Sequence, residues 1–333
     1  MVEPDFPLDV LLTHLQGLAD EALALWDIPP AASARLINVS ENVTYLIEAP
    51  TGFRAVLRVH RKDYHTKRAI ECELAWIDAL ASEGTVSAPR YYIGRNGQAI
   101  QQATAQHLSD SRYMVLFHFI EGETPDETGD LTNGFEVLGT LAARCHNHAV
   151  NWQRPAPFER LEWDVDAVFG SSPTWGDWRE APNVSSETKD VLEAVEIQIR
   201  NRLSAYGKTP TRYNLIHADM RLANLLVSPS ETRLIDFDDC GFGWLMYDFA
   251  AAISFMEDDP RVPVLKSAWL KGYRSVRQLD PEDEREIETF VMLRRMALLA
   301  WIGSHIEAPE PQRYAPTFAK KTVMLGRNYL ENI

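Results

Sequence analysis

Tyr213-Asn214-Leu215-Ile216-His217-Ala218-Asp219-Met220-Arg221-Leu222-Ala223-Asn224 is a short apolar run that opens into a polar cluster, and Arg233-Leu234-Ile235-Asp236-Phe237-Asp238-Asp239 repeats the pattern. The spacing predicts two strands, each delivering its polar residues at the strand end. Together the clusters supply two carboxylates, Asp219 and Asp236, the carboxamide of Asn224 and the guanidinium of Arg221. Such a set suits hard cations and phosphate oxygens, which are held by oxygen ligands and by fixed positive charge. Taken singly, H-x-D is a cheap pattern and Asp236, Asp238 and Asp239 read as an acidic surface turn. The order decides the matter: H-x-D, four residues, N, then D-F.

Upstream the character of the chain changes. Leu8, Leu11, Leu12, Leu15, Leu18, Ala22 and Leu25 recur at helical spacing up to Pro29-Pro30, predicting a leading helix. Runs rich in Val, Ile and Tyr at Leu36–Val39, Val43–Ile47 and Ala55–Val59, parted by polar or Pro-Gly turns, predict antiparallel strands. A helix is expected over Lys67–Leu80, and further strands over Pro89–Ile93 and Tyr113–Ile120. The expected first lobe, residues 1–121, is therefore a five-stranded antiparallel sheet with a helix. The polar stretch Glu121-Gly122-Glu123-Thr124-Pro125 marks the boundary. Residues 122–333 read as mostly helical, over Leu131–Ala149, Ser186–Tyr206, Val262–Arg277, Pro281–Ser304 and Pro316–Leu330, with Trp152–Pro182 as an irregular insertion.

Composition narrows the function. Lys and Arg number 33 against 48 Asp and Glu, a formal charge of −15, which argues against a broad nucleic-acid or anionic-lipid surface. The hydrophobic share of 45% and charged share of 24% are those of a folded globular chain. Cys72, Cys145 and Cys240 are odd in number and contain no C-x-x-C, so reduced thiols and a cytoplasmic location are expected, with no zinc site. His107, His118, His146 and His148 lack metal-ligand spacing and are expected in core packing or at the surface. The acidic start and the shortness of every apolar run predict neither a secretory leader nor a membrane span.

The ordered motif resembles the catalytic core of the aminoglycoside phosphotransferase and choline kinase-like family, relatives of the protein kinases, and the resemblance runs over most of the chain. It implies a bilobal α+β kinase-like fold and transfer of the γ-phosphate of ATP, with Mg²⁺, to a small-molecule hydroxyl acceptor. Residue by residue it makes Asp219 the catalytic base and Asn224 and Asp236 the metal ligands. Tyr247-Asp248-Phe249-Ala250 is similar to the family's Y-D-L-A element, so Asp248 is expected to support the catalytic loop, with His217 and Asp238 beside the reacting groups. Arg221, two residues after Asp219, could steady the transferring phosphoryl charge. Many family members read H-G-D-x-H-P-G-N; here Ala218, Arg221, Leu222 and Ala223 replace the Gly, His, Pro and Gly.

No G-x-G-x-x-G is present. The turn Ser40-Glu41-Asn42 resembles the family's E-N-x-x-Y loop, implying nucleotide contacts from Ser40 and Asn42, and Arg58 stands where a kinase anchors its nucleotide, with Glu73 as its ion-pair partner. An Asp236-Phe237-Asp238 nucleophile of the aspartyl-phosphatase kind would leave Asp219 and Asn224 unexplained. A catalytically silent nucleotide-binding module or a Ser/Thr protein kinase of the same fold is the alternative. The final helices, with Arg294, Arg295, Trp301 and His305, are expected to wall the acceptor, and Trp152, Trp163, Trp175 and Trp178 to pack the core or face the acceptor.

Overall fold

The computed structural model describes residues 7–104, 108, 110–126, 128–229 and 231–333; His107 lies outside them. They fall into two compact units. The first holds those within 7–79, 88–121 and 155–159, and the second those within 80–87, 122–154 and 160–333.

In the first unit, helix α1 (Leu8–Ala22) is followed by β1 (Ser33–Val39), β2 (Val43–Glu48), β3 (Arg54–Val59), α2 (Lys67–Ser82), β4 (Gln101–Thr104) and β5 (Ser111–His118). The strands form one antiparallel sheet in the order β1-β2-β3-β5-β4. Pairing Tyr45 with Leu57 and Leu57 with Leu116 brings Val43, Tyr45, Ile47, Ala55, Leu57, Val59 and Leu116 into one core with Leu11, Leu15, Leu18 and Ala22 of α1. Because strand side chains alternate, Arg58 leaves on the opposite face from Leu57 and Val59, where it meets α2.

The fifth strand differs from expectation. Pro89–Ile93 is not a strand; it contributes only a bridge from Tyr91 to Phe117, flanked by the bonds Tyr92 N–H to Leu116 O (2.7 Å) and His118 N–H to Arg90 O (2.8 Å). The chain then leaves the sheet and returns as polar β4, which pairs with the start of β5. Two segments thus share one edge of β5. Pro89 has no N–H to give the ladder, and Gly94 and Gly97 turn the chain away, Gly97 at φ +77°.

The second unit contains α3 (Thr132–Asn151), β6 (Leu161–Trp163), α4 (Val165–Phe169), α5 (Ser186–Tyr206), β7 (Tyr213–Ile216), β8 (Leu225–Val227), β9 (Thr232–Leu234), β10 (Gly241–Trp244), α6 (Tyr247–Ala252), α7 (Val262–Arg274), α8 (Pro281–Arg285), α9 (Ile287–Ser304) and α10 (Pro309–Asn332). The stretch expected to be irregular at 152–182 supplies β6, which runs parallel to β10, while β7 pairs with β10 on its other side. The expected Pro281–Ser304 helix breaks at Glu286 into α8 and α9. The last helix starts before expectation, with Pro309 at its first turn, and carries Pro316 in its interior. The start and stop of α5 follow its sequence: a reciprocal Ser185–Thr188 capping box opens it and Gly207, at φ +74°, closes it.

Helices α3 and α7 cross with almost no room between them. A methyl group on Gly139 would stand 2.0 Å from the Trp269 carbonyl oxygen, and one on Gly272 1.9 Å from that of Glu136. Helix α9 is buried on nearly all sides, which its sequence allows by being apolar around most of its circumference. The three cysteines are buried and form no disulfide. No helix among the described residues is long and apolar enough to cross a membrane.

Candidate active site

Strand β7 ends at Ile216, and the backbone then turns through Ala218 at φ +65°, a left-handed conformation that glycine adopts most readily. This is the position where the sequence has Ala in place of the resembling motif's Gly. What holds it is Asp248, at the start of α6. Its Oδ1 accepts from the Ala218 N–H (2.7 Å), and Oδ2 accepts from the His217 N–H (3.2 Å) and from His146 Nε2 (2.9 Å). His146 Nδ1 in turn meets the Tyr273 hydroxyl at 3.0 Å. His146, Asp248 and Tyr273 are fully buried. The α3–α7 glycine contact sets this relay, because His146 lies on α3 and Tyr273 on α7. Burial, opposed by the Asp248 carboxylate, pushes the His146 pKa down from its ordinary value.

The two polar clusters are tied together by backbone and by one imidazole. His217 Nε2 lies 3.1 Å from the Ile235 carbonyl oxygen, its ring packs against Phe237 at 4.6 Å, and the Ile235 N–H donates to the Asn224 main-chain oxygen at 3.0 Å. The Asp219 N–H donates to His217 Nδ1 (3.3 Å), so the ring accepts on one nitrogen and donates from the other. Asp236 follows at φ +62°. The backbone beyond it is clamped by two residues of the former insertion. Arg160 Nη2 donates to the Asp238 carbonyl and Nε to that of Cys240 (2.6 Å), and Trp163 Nε1 donates to that of Asp239 (2.7 Å).

Asp219 is the meeting point. Asn224 Nδ2 donates to its main-chain oxygen and to Oδ2, both at 2.8 Å. That commits the amide nitrogen and turns the side-chain Oδ1 of Asn224 into the atom that could hold a metal. Oδ2 also lies 3.3 Å from Arg221 Nε, and Oδ1 lies 3.0 Å from Arg294 Nη2. Arg294, on the buried helix α9, also donates from Nε to Ser254 Oγ (3.1 Å), and its guanidinium lies 5.0 Å from the Trp175 ring and 5.8 Å from that of Tyr247. Arg295, one residue on, points to the other side of α9. There it pairs with Glu257 at 2.5 Å and donates to Thr322 Oγ1 (2.8 Å) and Phe318 O (3.2 Å). Of the two arginines placed in the acceptor wall, Arg294 touches Asp219 and Arg295 braces α10. His305 lies in the core, its Nδ1 2.9 Å from Ser304 Oγ, and Trp301 packs on the Phe255 cluster.

In the first unit, Arg58 Nη2 donates to both carboxylate oxygens of Glu73, at 2.8 and 2.7 Å, with both side chains buried. The β1–β2 turn is closed by the Ser40 N–H donating to the Asn42 oxygen (3.0 Å), and Asn42 Oδ1 accepts from the Arg61 N–H (3.2 Å).

A family model described as the phosphotransferase enzyme family, APH, matches residues 33–281, most of the chain and every residue of the two motifs. The chain belongs to this family. A solved microcompartment-associated aminopropanol kinase is 41% identical over 94% of this chain and 97% of its own, with a TM-score of 0.87. Amicoumacin kinase of Bacillus subtilis is 24% identical over 68% of this chain and 67% of its own length. An amicoumacin kinase solved with AMP-PNP, Ca²⁺ and its antibiotic shares the fold, at 20% identity and a TM-score of 0.72 over 95% of this chain and 94% of its own. The chain is accordingly a kinase of small-molecule hydroxyls with the expected α+β kinase-like architecture. The sequence motifs gave no signal for His146, Arg160 or the Arg294–Asp219 pair. Each is a contact between segments far apart along the chain; a His or Arg set in a largely apolar helix pattern hints at His146 and Arg294, whereas Arg160 precedes β6 outside any helix.

Proposed function

We propose that this phosphotransferase moves the γ-phosphoryl group of ATP to the hydroxyl of a small amino alcohol. The observation that carries the acceptor is the 41% identity, over nearly all of both chains, to a protein described as an aminopropanol kinase. The acceptor oxygen attacks the γ-phosphorus as the bond to the ADP oxygen breaks, and the hydroxyl proton passes to Asp219. Asp219 is oriented for that task by Asn224 and Arg294, which fix its two oxygens from different sides. The side-chain Oδ1 of Asn224 and the Asp236 carboxylate form the hard oxygen set that would hold Mg²⁺, whose chemistry is to offset the phosphate charge. Arg221 supplies a partly exposed cation for the phosphoryl oxygens, and Asp238 stays close to the metal ligands through the clamped backbone. Within the first unit, the Glu73-braced Arg58 and the Ser40–Asn42 turn are assigned to the nucleotide. His217 and Asp248 act through the loop they hold.

The test is acceptor-stimulated ADP release with ATP and Mg²⁺ over a panel of amino alcohols, hydroxy amino acids, aminoglycosides and sugars, beside Asp219→Asn. Amino alcohols should stimulate release in the native enzyme, and Asp219→Asn should lose at least about a hundredfold in kcat while still binding ATP. Retained turnover in the variant would remove Asp219 from the role of base. Nucleotide binding without stimulation by any acceptor would point to a silent module.

A further inference from the structure

Asp219 is met by two arginines of different character. Arg294 is buried and fixed by Ser254, Trp175 and Tyr247, so its side of the carboxylate already holds a permanent cation. Arg221 is looser, with 29% of its side chain exposed. Besides the 3.3 Å approach to Asp219 Oδ2, its Nη1 lies 3.9 Å from Glu310 Oε1 and its guanidinium carbon 5.9 Å from the Phe255 ring centroid. Two carboxylates and an aromatic face therefore form a solvent-reached seat in which a cation sits. Phe255 occupies the left-handed region at φ +70°, rare for an aromatic residue. Its ring is stacked on Tyr314, centroids 4.4 Å apart and planes 11° from parallel. Tyr314 follows Glu310 by one turn of α10, so the two side chains share a face. The packing of Phe255 on Tyr314 holds that backbone strain in place beside Arg221.

We propose that this seat takes the ammonium group of the acceptor, exchanging with the Arg221 guanidinium, and that Glu310, Phe255 and Tyr314 thereby select an amine next to the reacting hydroxyl. The inference rests on the amino-alcohol reading above and deepens it by naming what recognises the amine. A compact ammonium gives up strongly bound water and needs carboxylates and a π face in return. Like-charge repulsion from Arg294 bars it from the Oδ1 side, which leaves the Oδ2 side. There an alcohol with a vicinal amine can present its hydroxyl to Asp219 and its charge to Glu310. The displaced guanidinium is then available to the phosphoryl oxygens.

The experiment compares aminopropanol with propanediol as acceptors for the native enzyme, Glu310→Gln and Tyr314→Leu, with thermal unfolding to establish that each is folded and calorimetry to measure aminopropanol binding directly. In Glu310→Gln the preference in kcat/KM for the amine over the diol should fall about tenfold, mainly through KM, with a matching loss of calorimetric affinity. Tyr314→Leu should show a smaller loss in the same direction. An unchanged preference and unchanged affinity in both folded variants would overturn the seat. Native enzyme that neither turns over nor binds any amino alcohol would overturn the acceptor reading itself, and the seat with it. Native turnover with unaltered selectivity in the variants would overturn the seat alone.

Discussion

Ala218 shows how a single residue is held against its own preference. A left-handed backbone costs an L-residue roughly 1–2 kcal/mol relative to glycine's freedom, yet φ here is +65°. The neighbouring amides of His217 and Ala218 both donate to Asp248, and a hydrogen bond to a charged group contributes about 1.5–3 kcal/mol. The carboxylate thus offsets the strain and aims Asp219 at the end of β7. Asp248→Asn replaces one accepting oxygen with an NH₂ group that faces donors. We expect a stability loss of about 1.5–3 kcal/mol in urea unfolding, accompanied by a fall in kcat, with ATP affinity less affected. A stability loss below about 0.5 kcal/mol, the range of ordinary surface substitutions, would mean that the loop is held by something else.

Among the elements, the α3–α7 crossing matters most to the site although neither helix touches the reacting groups. Glycine at 139 and 272 lets each backbone approach the other's carbonyls, and that approach puts His146 within reach of both Tyr273 and Asp248. A methyl at 139 would collide with a backbone oxygen, which cannot move aside as a flexible side chain can. Gly139→Ala should destabilise the protein by about 1–3 kcal/mol and lower kcat as the relay shifts. Gly17→Ala, whose added methyl meets nothing within 4 Å, serves as the control in the same thermal-shift and rate measurements. Equal behaviour of the two variants would show that the crossing is slack. Helix α9 works differently: buried on nearly all sides, it can aim two consecutive side chains in different directions, Arg294 to Asp219 and Arg295 to Glu257 and α10. A buried ion pair is expensive to break from one side only, because the remaining charge is stranded.

For the molecule as a whole, three histidines give the stability a pH dependence of definite sign. His118, His146 and His148 all have pKa values lowered, chiefly by burial; Arg90 lowers His118 further, whereas Asp248 and Glu83 oppose the shift at His146 and His148. Their folded-state pKa lies below the unfolded value, so as the pH falls through about 6.5 the unfolded chain takes up protons that the folded chain refuses. Stability is full above that pH and declines below it, by at most about 1.4 kcal/mol per pH unit for fully buried His146. The unfolding midpoint should therefore drop between pH 7.5 and 5.5. His146→Gln should lower it at pH 7.5 but lessen the further drop. An undiminished drop in that variant would remove His146 as a source of the acid sensitivity.

Local sequence determined the strands that deliver the two polar clusters, the helices with clear 3.6-residue periodicity, and the family, because these depend on residue order over a few turns or a few strand residues. Tyr213–Ile216 and the capped 186–206 helix are cases where propensity, caps and burial agree. Where local signals compete, tertiary structure chose: polar Gln101–Thr104 became an edge strand because β5 offered it unpaired backbone groups, and an insertion rich in Trp and Pro yielded β6 because β10 stood ready to pair with it. The same holds within the site. Arg294 on Asp219, His146 on Asp248, Arg160 on the backbone after Asp236 and the Phe255–Tyr314 stack beside Arg221 all join residues from separate elements. No periodicity encodes such meetings, since they are fixed only when the helices and strands pack and each buried charge must find its partner.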